Sequence, residues 1–473
     1  MRISISSRLR PALLFLLCLG LLSGIWAAVA RAGEPAPART GLVVERVRRG
    51  SAGDRAGLRE GDLLLSWRRE NGGEPARGIL RSTFDWRALL TEQVPRGAVE
   101  IAGRRGAEAK TWVLPAGAPS GGERTDEEVA VRPPLTGDLL AQSQGDPDLA
   151  LWLKLRQAQD LAKAERWLEA DALYEELIEP REAAGLAGAP DGREAGFQAI
   201  QLLREWGRLW TQRRIVDRAG DCYQRALTLA RKLAPESLTA AWCLTDLGDL
   251  ATRSGGTREP DTLFREALAI RQRLAPGSSE VASSWRNLGS EALSNGDLRR
   301  AEEEFRKALE VQEKATPGQI YVAERLLAVA SARLFQKDYA GSEKLYERAR
   351  AIFEREAPED PGLLGILQGI GAAASERGDW RKAEAALLSA VQLGDRLGPA
   401  SLDQMHFLLY DLGLAQRHLG KPDASTRSLC RSAQLVEQRR RRLGSNQEIQ
   451  LSWSFRYAEQ YRACAQGLFE VGR

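Results

Sequence analysis

His406 and His418 are the only histidines in a chain of 473 residues, and they bound what chemistry it can do. Twelve positions apart in one helical segment, they stand roughly 18 Å from each other, too far to share a metal ion or pass a proton. The sequence contains no HExxH, GxSxG or Walker A spacing. A serine or cysteine nucleophile needs a base beside it, and two isolated helical histidines supply none. These residues imply neither an enzyme nor a bound cofactor or metal. After Cys18 come Cys222, Cys243, Cys430 and Cys464, with no CxxC pair of the kind that holds zinc. Their even number invites a disulfide reading, for which Cys222 and Cys243, on successive helices, are the pair that could meet. All four fall in helical segments, where a free cysteine behaves as a small buried hydrophobe, and free thiols are the expectation.

Charge excludes a second class. The formal net charge is +4, but residues 1–32 hold four arginines and no acid. The remainder carries 64 basic against 64 acidic residues. A neutral chain gives no electrostatic reason to propose nucleic acid as a partner. The run Arg439 to Arg442 fits the C-terminal end of a helix, where cations oppose the dipole.

The elements that would position any site are set by a repeat. Pro235, Pro276, Pro317, Pro358 and Pro399 follow one another at 41-residue intervals. Proline lacks the N–H a helix needs and clashes with the preceding turn, so each one ends a helical unit. Small residues recur at Gly207, Gly248, Gly289, Ala330, Gly371 and Gly413. Sixteen positions after them come Tyr223, Phe264, Phe305, Tyr346, Leu387 and Leu429, and three further on Ala226, Ala267, Ala308, Ala349, Ala390 and Ser432. Two antiparallel helices approach closely only where one offers a small side chain, so the first column marks a helix crossing and the second fills the groove beside it. Gly296-Asp297, Lys337-Asp338 and Gly378-Asp379 mark the turn inside the hairpin. An earlier copy carries Ala158, Ala170 and Tyr174, which gives about seven helical hairpins from Asp148 onward.

The copy Trp285-x-x-Leu288-Gly289, Gly296-Asp297, Ala301, Phe305, Ala308 closely resembles the tetratricopeptide repeat, over about two thirds of the chain. That family's usual period is about 34 residues, and the longer unit here is similar to the kinesin light chain subtype. HEAT and armadillo repeats share the 41-residue range but not this order of residue types. The resemblance implies an all-α solenoid whose inner surface is lined by first-helix positions: Arg204, Arg208, Trp242, Asp246, Asp249, Arg286, Asn287, Tyr410, Asp411 and Arg417. Mixed charge with scattered aromatics suits a protein or peptide partner. The Lys and Asn set that clamps a chaperone's C-terminal carboxylate in some members is not reproduced.

Ahead of the array, residues 41–115 alternate like short strands around two helical pieces, an α+β pattern. The run Gly50 to Asp62, with its Gly-Ser turn, Ala-Gly-Leu and Gly-Asp, resembles the bacterial PDZ domain. That family binds extended peptides by strand addition. Only Gly33 to Thr40, interrupted by Pro35 and Pro37, stand where its carboxylate-binding loop belongs, so a docking role is favoured over a peptide clamp. Residues 116–147, rich in Gly, Pro, Ser and acids, are expected to be a flexible tether before the array of 148–473. Residues 1–32 have the pattern of a secretory signal, with Arg2, Arg8 and Arg10 before an apolar run and Ala30-Arg31-Ala32 at its end. Uncleaved, residues 11–30 are long enough to tether the chain to a membrane. Either outcome implies an exported chain, periplasmic or extracellular. Residues 451–471 are expected to form one more helix, either a cap or the start of a truncated repeat. With the Tyr457-Ala-x-x-Tyr-Arg462 segment, the whole resembles the front half of CHAT-domain proteins, which implies either an adaptor or the sensor half of a caspase-like protease system.

Overall fold

The computed structural model describes residues 41–48, 51–116, 129–135, 146–188, 192–254, 260–442 and 457–472. The leader expected at 1–32 lies outside the described residues, as does most of the expected tether.

An antiparallel sheet leads. Its strands are β1 (Leu42–Val47), β2 (Leu63–Arg69), β3 (Ala76–Ile79), β4 (Val99–Arg105), β5 (Glu108–Leu114) and β6 (Val129–Arg132), in the order β5-β4-β2-β1-β6 with β3 also paired to β2. Two short helices, α1 (Ala52–Arg55) and α2 (Thr83–Ala88), interrupt them. Leu42, Val44, Leu64, Ile101 and Trp112 alternate inward and share a core with Trp86 and Leu89. Ser82 and Asp85 form a capping box that starts α2. The helix then widens into a π-helical turn over Leu89–Gln93.

Two strands depart from the sequence expectation. Inside the supposed tether, β6 pairs antiparallel with β1, Val131 opposite Val44 and Val129 opposite Val47. Val129 and Val131 are buried against the sheet core, and that apolar burial holds the strand. Four residues among Gly, Pro and acids gave no sustained alternation to detect. The strand β3 was missed because Gly78 breaks its pattern. A Cβ there would stand 2.5 Å from the Trp67 indole nitrogen, so the glycine lets that ring lie across the strand.

Beyond the sheet, the described residues are mainly helical, in seven antiparallel hairpins. They are α3 (Pro147–Lys163) with α4 (Trp167–Ala187), α5 (Gly192–Gln212) with α6 (Val216–Leu233), and α7 (Leu238–Ser254) with α8 (Pro260–Leu274). Next come α9 (Ser279–Ser294) with α10 (Leu298–Ala315) and α11 (Ile320–Phe335) with α12 (Tyr339–Glu356). Last are α13 (Gly362–Glu376) with α14 (Trp380–Leu397) and α15 (Leu402–His418) with α16 (Pro422–Arg442), followed by the single helix α17 (Ala458–Glu470).

The repeat columns do what their residue types require. Each of the five prolines sits two residues beyond the end of a second helix, at Leu233, Leu274, Ala315, Glu356 and Leu397. The residue before it leaves helical backbone, with φ −161° at Ala234, −142° at Thr316 and −153° at Ala357, while Gly398, before Pro399, takes a positive φ of 61°. A Cβ on Gly207 would stand 2.5 Å from Tyr223, on Gly248 2.5 Å from Phe264, on Gly371 2.6 Å from Leu387 and on Gly413 2.6 Å from Leu429. The alanines of the third column are all fully buried, and in the last hairpin the Ser432 hydroxyl donates to the His406 carbonyl at 2.6 Å. Inside the hairpins, Gly296 and Gly378 take positive φ, and the aspartate after each caps the second helix.

Successive first helices, from α5 to α15, pack against one another along the array, while the second helices beyond α6 are held further apart. The first helices are therefore the inner layer. The helix α17 packs on α16, joined to it by a disulfide between Cys430 and Cys464. This corrects the expectation of four free thiols. Residue 464 comes within bridging distance only because α17 folds back along α16, which no spacing in the sequence encodes. Cys222 and Cys243 remain free and buried, and do not bridge.

Candidate protein-interaction surface

The ten candidate positions divide into a buried network, a group around the terminal helix and a remainder that keeps solvent exposure. Arg204 on α5 and Asp246 on α7 form a buried ion pair between neighbouring first helices. Burial works against the Arg204 charge, and Asp246 more than offsets it, so the guanidinium is held above its ordinary pKa. Arg208 reaches the same carboxylate at 3.8 Å. Trp242, one turn before Asp246, has the Arg204 guanidinium 5.4 Å from its ring centre and that of Arg271 at 4.5 Å.

Arg271 escaped the sequence reading. It lies in the last turn of a second helix, where a cation looks like dipole compensation. Instead it points inward, almost completely buried, donating to Thr245 Oγ1 at 3.0 Å and Ser284 Oγ at 2.7 Å, with Glu280 at 3.9 Å. Arg204, Trp242 and Asp246 thus hold α5, α7 and α8 together and are too buried to line an open groove. Asn287 is buried too, accepting from Arg286 at 2.8 Å.

The last three candidates sit elsewhere. Asp411 on α15 accepts from Gln368 of α13 at 2.9 Å, and burial pushes its carboxyl above the ordinary range, partly opposed by that bond. Arg417 donates to the Ala463 carbonyl at 3.4 Å and faces Glu470 at 3.6 Å, both on α17. Tyr410 is raised by burial and by Glu459, also of α17. Arg417 and Tyr410 position the terminal helix, whereas Asp411 ties α15 to α13. Arg208, Asp249 and Arg286 are the candidates that keep solvent-exposed surface along α5, α7 and α9. Burial raises the Cys222 and Cys243 thiols to about 12, which removes them as nucleophiles at neutral pH.

The sheet region is seated on the first-helix layer. Phe84 of α2 is buried in the array's core cluster, beside residues of α3 to α8, not in the sheet's own core. Arg87 pairs with Glu205 of α5 at 2.8 Å, and Gln201 donates to the Phe84 carbonyl at 3.3 Å. Glu205 also accepts from Gln159 and Tyr174, each at 2.8 Å, so three elements converge on one carboxylate. Arg48, at the end of β1, reaches Asp360 before α13 at 2.7 Å. None of these partners is near its mate in sequence, so no local signal marks them.

Residues 322–394, spanning α11 to α14, match the family model described as tetratricopeptide repeat. The sequence matches no curated protein. Among solved structures, BtubC (BKLC) from P. vanneervenii is 18% identical, covers 49% of this chain and 93% of its own, and superposes with a TM-score of 0.44. The apo form of RapI is 12% identical, with 61% and 99% covered and a TM-score of 0.44. Rap protein complexed with Competence and Sporulation Factor is 15% identical, with 68% and 96% covered and a TM-score of 0.40.

Proposed function

We propose that this chain, which carries tetratricopeptide repeats, is a non-catalytic scaffold of the bacterial cell envelope that holds a protein or peptide along its first-helix layer. The continuous packing of first helices from α5 to α15 carries the reading. Repeats copied in register present a long, evenly spaced surface, which suits partner binding more than catalysis. Mixed side chains along it, Arg208, Asp249 and Arg286 with half-buried Trp285, give the polar and aromatic chemistry such surfaces use.

Export is supported by the signal-like pattern of residues 1–32 together with the Cys430–Cys464 bridge, since disulfides persist in oxidising compartments. The sheet region we read as PDZ-like, serving as a docking module. Its β1 edge is already paired by β6, and its helix α2 is seated on the array, so strand addition of a peptide at that edge has no open place.

Photo-crosslinking in cells tests the scaffold. A photoreactive residue replacing Arg286, exposed on first helix α9, is expected to give a discrete protein adduct. The same residue replacing Arg306, exposed on second helix α10, is expected to give none. Equal adducts at both positions, or none at Arg286, would refute the reading.

A further inference from the structure

The helix seated on the array shows what the array selects. Trp86 of α2 and Leu89 of the turn after it belong to the sheet core, while Phe84 leaves it for the core of the helical stack. Arg87 and Glu92 also leave the sheet. Arg87 pairs with Glu205, and the Glu92 carboxylate takes the Thr239 N–H at 2.7 Å, the Thr239 hydroxyl at 2.6 Å and the Leu238 N–H at 3.3 Å. An uninterrupted α-helix would leave Glu92 about 80° round from Phe84, eight residues on. The π-helical turn at Leu89–Gln93 advances less per residue and returns Glu92 toward the Phe84 side. One aromatic anchor, one cation and one carboxylate thus meet a pocket, an acid and a helix N-terminus on α5 and α7.

This seat is built mostly of polar contacts around one buried ring. Inter-domain faces of that composition open and close, whereas permanent ones are larger and apolar. The sheet region also has a core of its own, so leaving the array would not unfold it.

We propose that the face formed by Gln201, Glu205, Leu238 and Thr239 is a recognition site for a helical segment presenting an aromatic residue, an arginine three positions later and an acid about five further on. The chain's own Phe84, Arg87 and Glu92 occupy it in cis, and a partner helix bearing the same three groups displaces them. The inference rests on the scaffold reading and names the partner's chemistry at one end of the layer.

The test uses the full chain and a fluorescent, helix-stapled peptide with the sequence of residues 81–96. In the double variant Phe84→Ala/Glu92→Ala, the Leu238 and Thr239 amides exchange hydrogen faster than in the parent, and added peptide restores their protection. The peptide binds this variant at least about tenfold more tightly than the parent, whose site is filled. Equal binding to both proteins, no binding to the opened variant, or unchanged exchange at Leu238 and Thr239 overturns the proposal. Should the double variant misfold, Arg87→Ala, which removes the ion pair and leaves the Gln159 and Tyr174 bonds of Glu205 in place, is expected to bind the peptide more tightly than the parent, and equal binding is equally decisive. Crosslinking at position 286 is independent of this seat, so the two failures are distinguishable.

Discussion

Glu92 caps the N-terminus of a helix that begins 146 residues later, accepting from both Leu238 and Thr239. A helix leaves its first N–H groups without intrahelical partners, and a carboxylate there also meets the positive end of the dipole. Glu92→Ala is therefore expected to lower the stability of the assembled chain by about 0.5–2 kcal/mol, the usual range for a lost cap. Urea unfolding followed by tryptophan fluorescence measures it. A midpoint equal to that of the parent would show that Thr239 is capped by other means.

Asp62 ties the turn before β2 to β4. Burial pushes its carboxyl up, but the Arg105 guanidinium at 2.7 Å on both oxygens and the Arg59 N–H at 2.8 Å more than offset this and hold it below the usual range. A native pKa below the unfolded value of about 3.9 means stability present above that pH and lost as pH falls through the native value. Acid titration of Asp62→Asn against the parent should show the parent's advantage at neutral pH shrinking below about pH 4. An advantage that grows on acidification has the wrong sign.

Lys337 holds the hairpin-turn position that Gly296 and Gly378 fill in neighbouring repeats, with φ of 66°. A side chain there is strained by about 1–2 kcal/mol, part of which glycine returns through its freer unfolded chain. Lys337→Gly is expected to stabilise by about 0.5–1 kcal/mol, read as a raised thermal midpoint. A lowered midpoint would mean that the lysine side chain contributes more than its backbone strain.

Cys430 and Cys464 fasten α17 to α16. On the loop-entropy account, a bridge across 34 residues stabilises the terminal helix by roughly 3–4 kcal/mol. Proteolytic mapping without reductant should recover the Cys430–Cys464 linked pair, while Cys222 and Cys243 alkylate only after denaturation. Reduction is expected to expose α17 to protease. A linked Cys222–Cys243 pair would contradict the arrangement.

How much of this was legible in the sequence depends on whether a signal is local or repeated. The Gly207 and Gly248 columns, their Tyr223 and Phe264 partners and the proline stops were all visible, because repetition multiplies a weak steric preference into a pattern. The strand β6 was not, since four residues carry too little alternation to rise above their Gly- and Pro-rich surroundings. The candidate positions fall on first helices, but how far each is buried was not legible. Arg204 and Asp246 become a buried pair because a cation on one helix happens to face an anion on the next, and nothing in either repeat alone says so. Arg271 and Glu92 act across repeats and across domains, where sequence distance erases every cue.

The alignment that defines the inner layer stands on Gly289 and Phe305. A Cβ on Gly289 would stand 2.6 Å from two carbons of the Phe305 ring, which is itself buried between α9 and α10. Equilibrium urea unfolding of Gly289→Leu is the most direct test of the stack. The account predicts a loss of about 1–3 kcal/mol from overpacking at the crossing. An unchanged unfolding curve would contradict it, and with it the assignment of every first helix to the inner face.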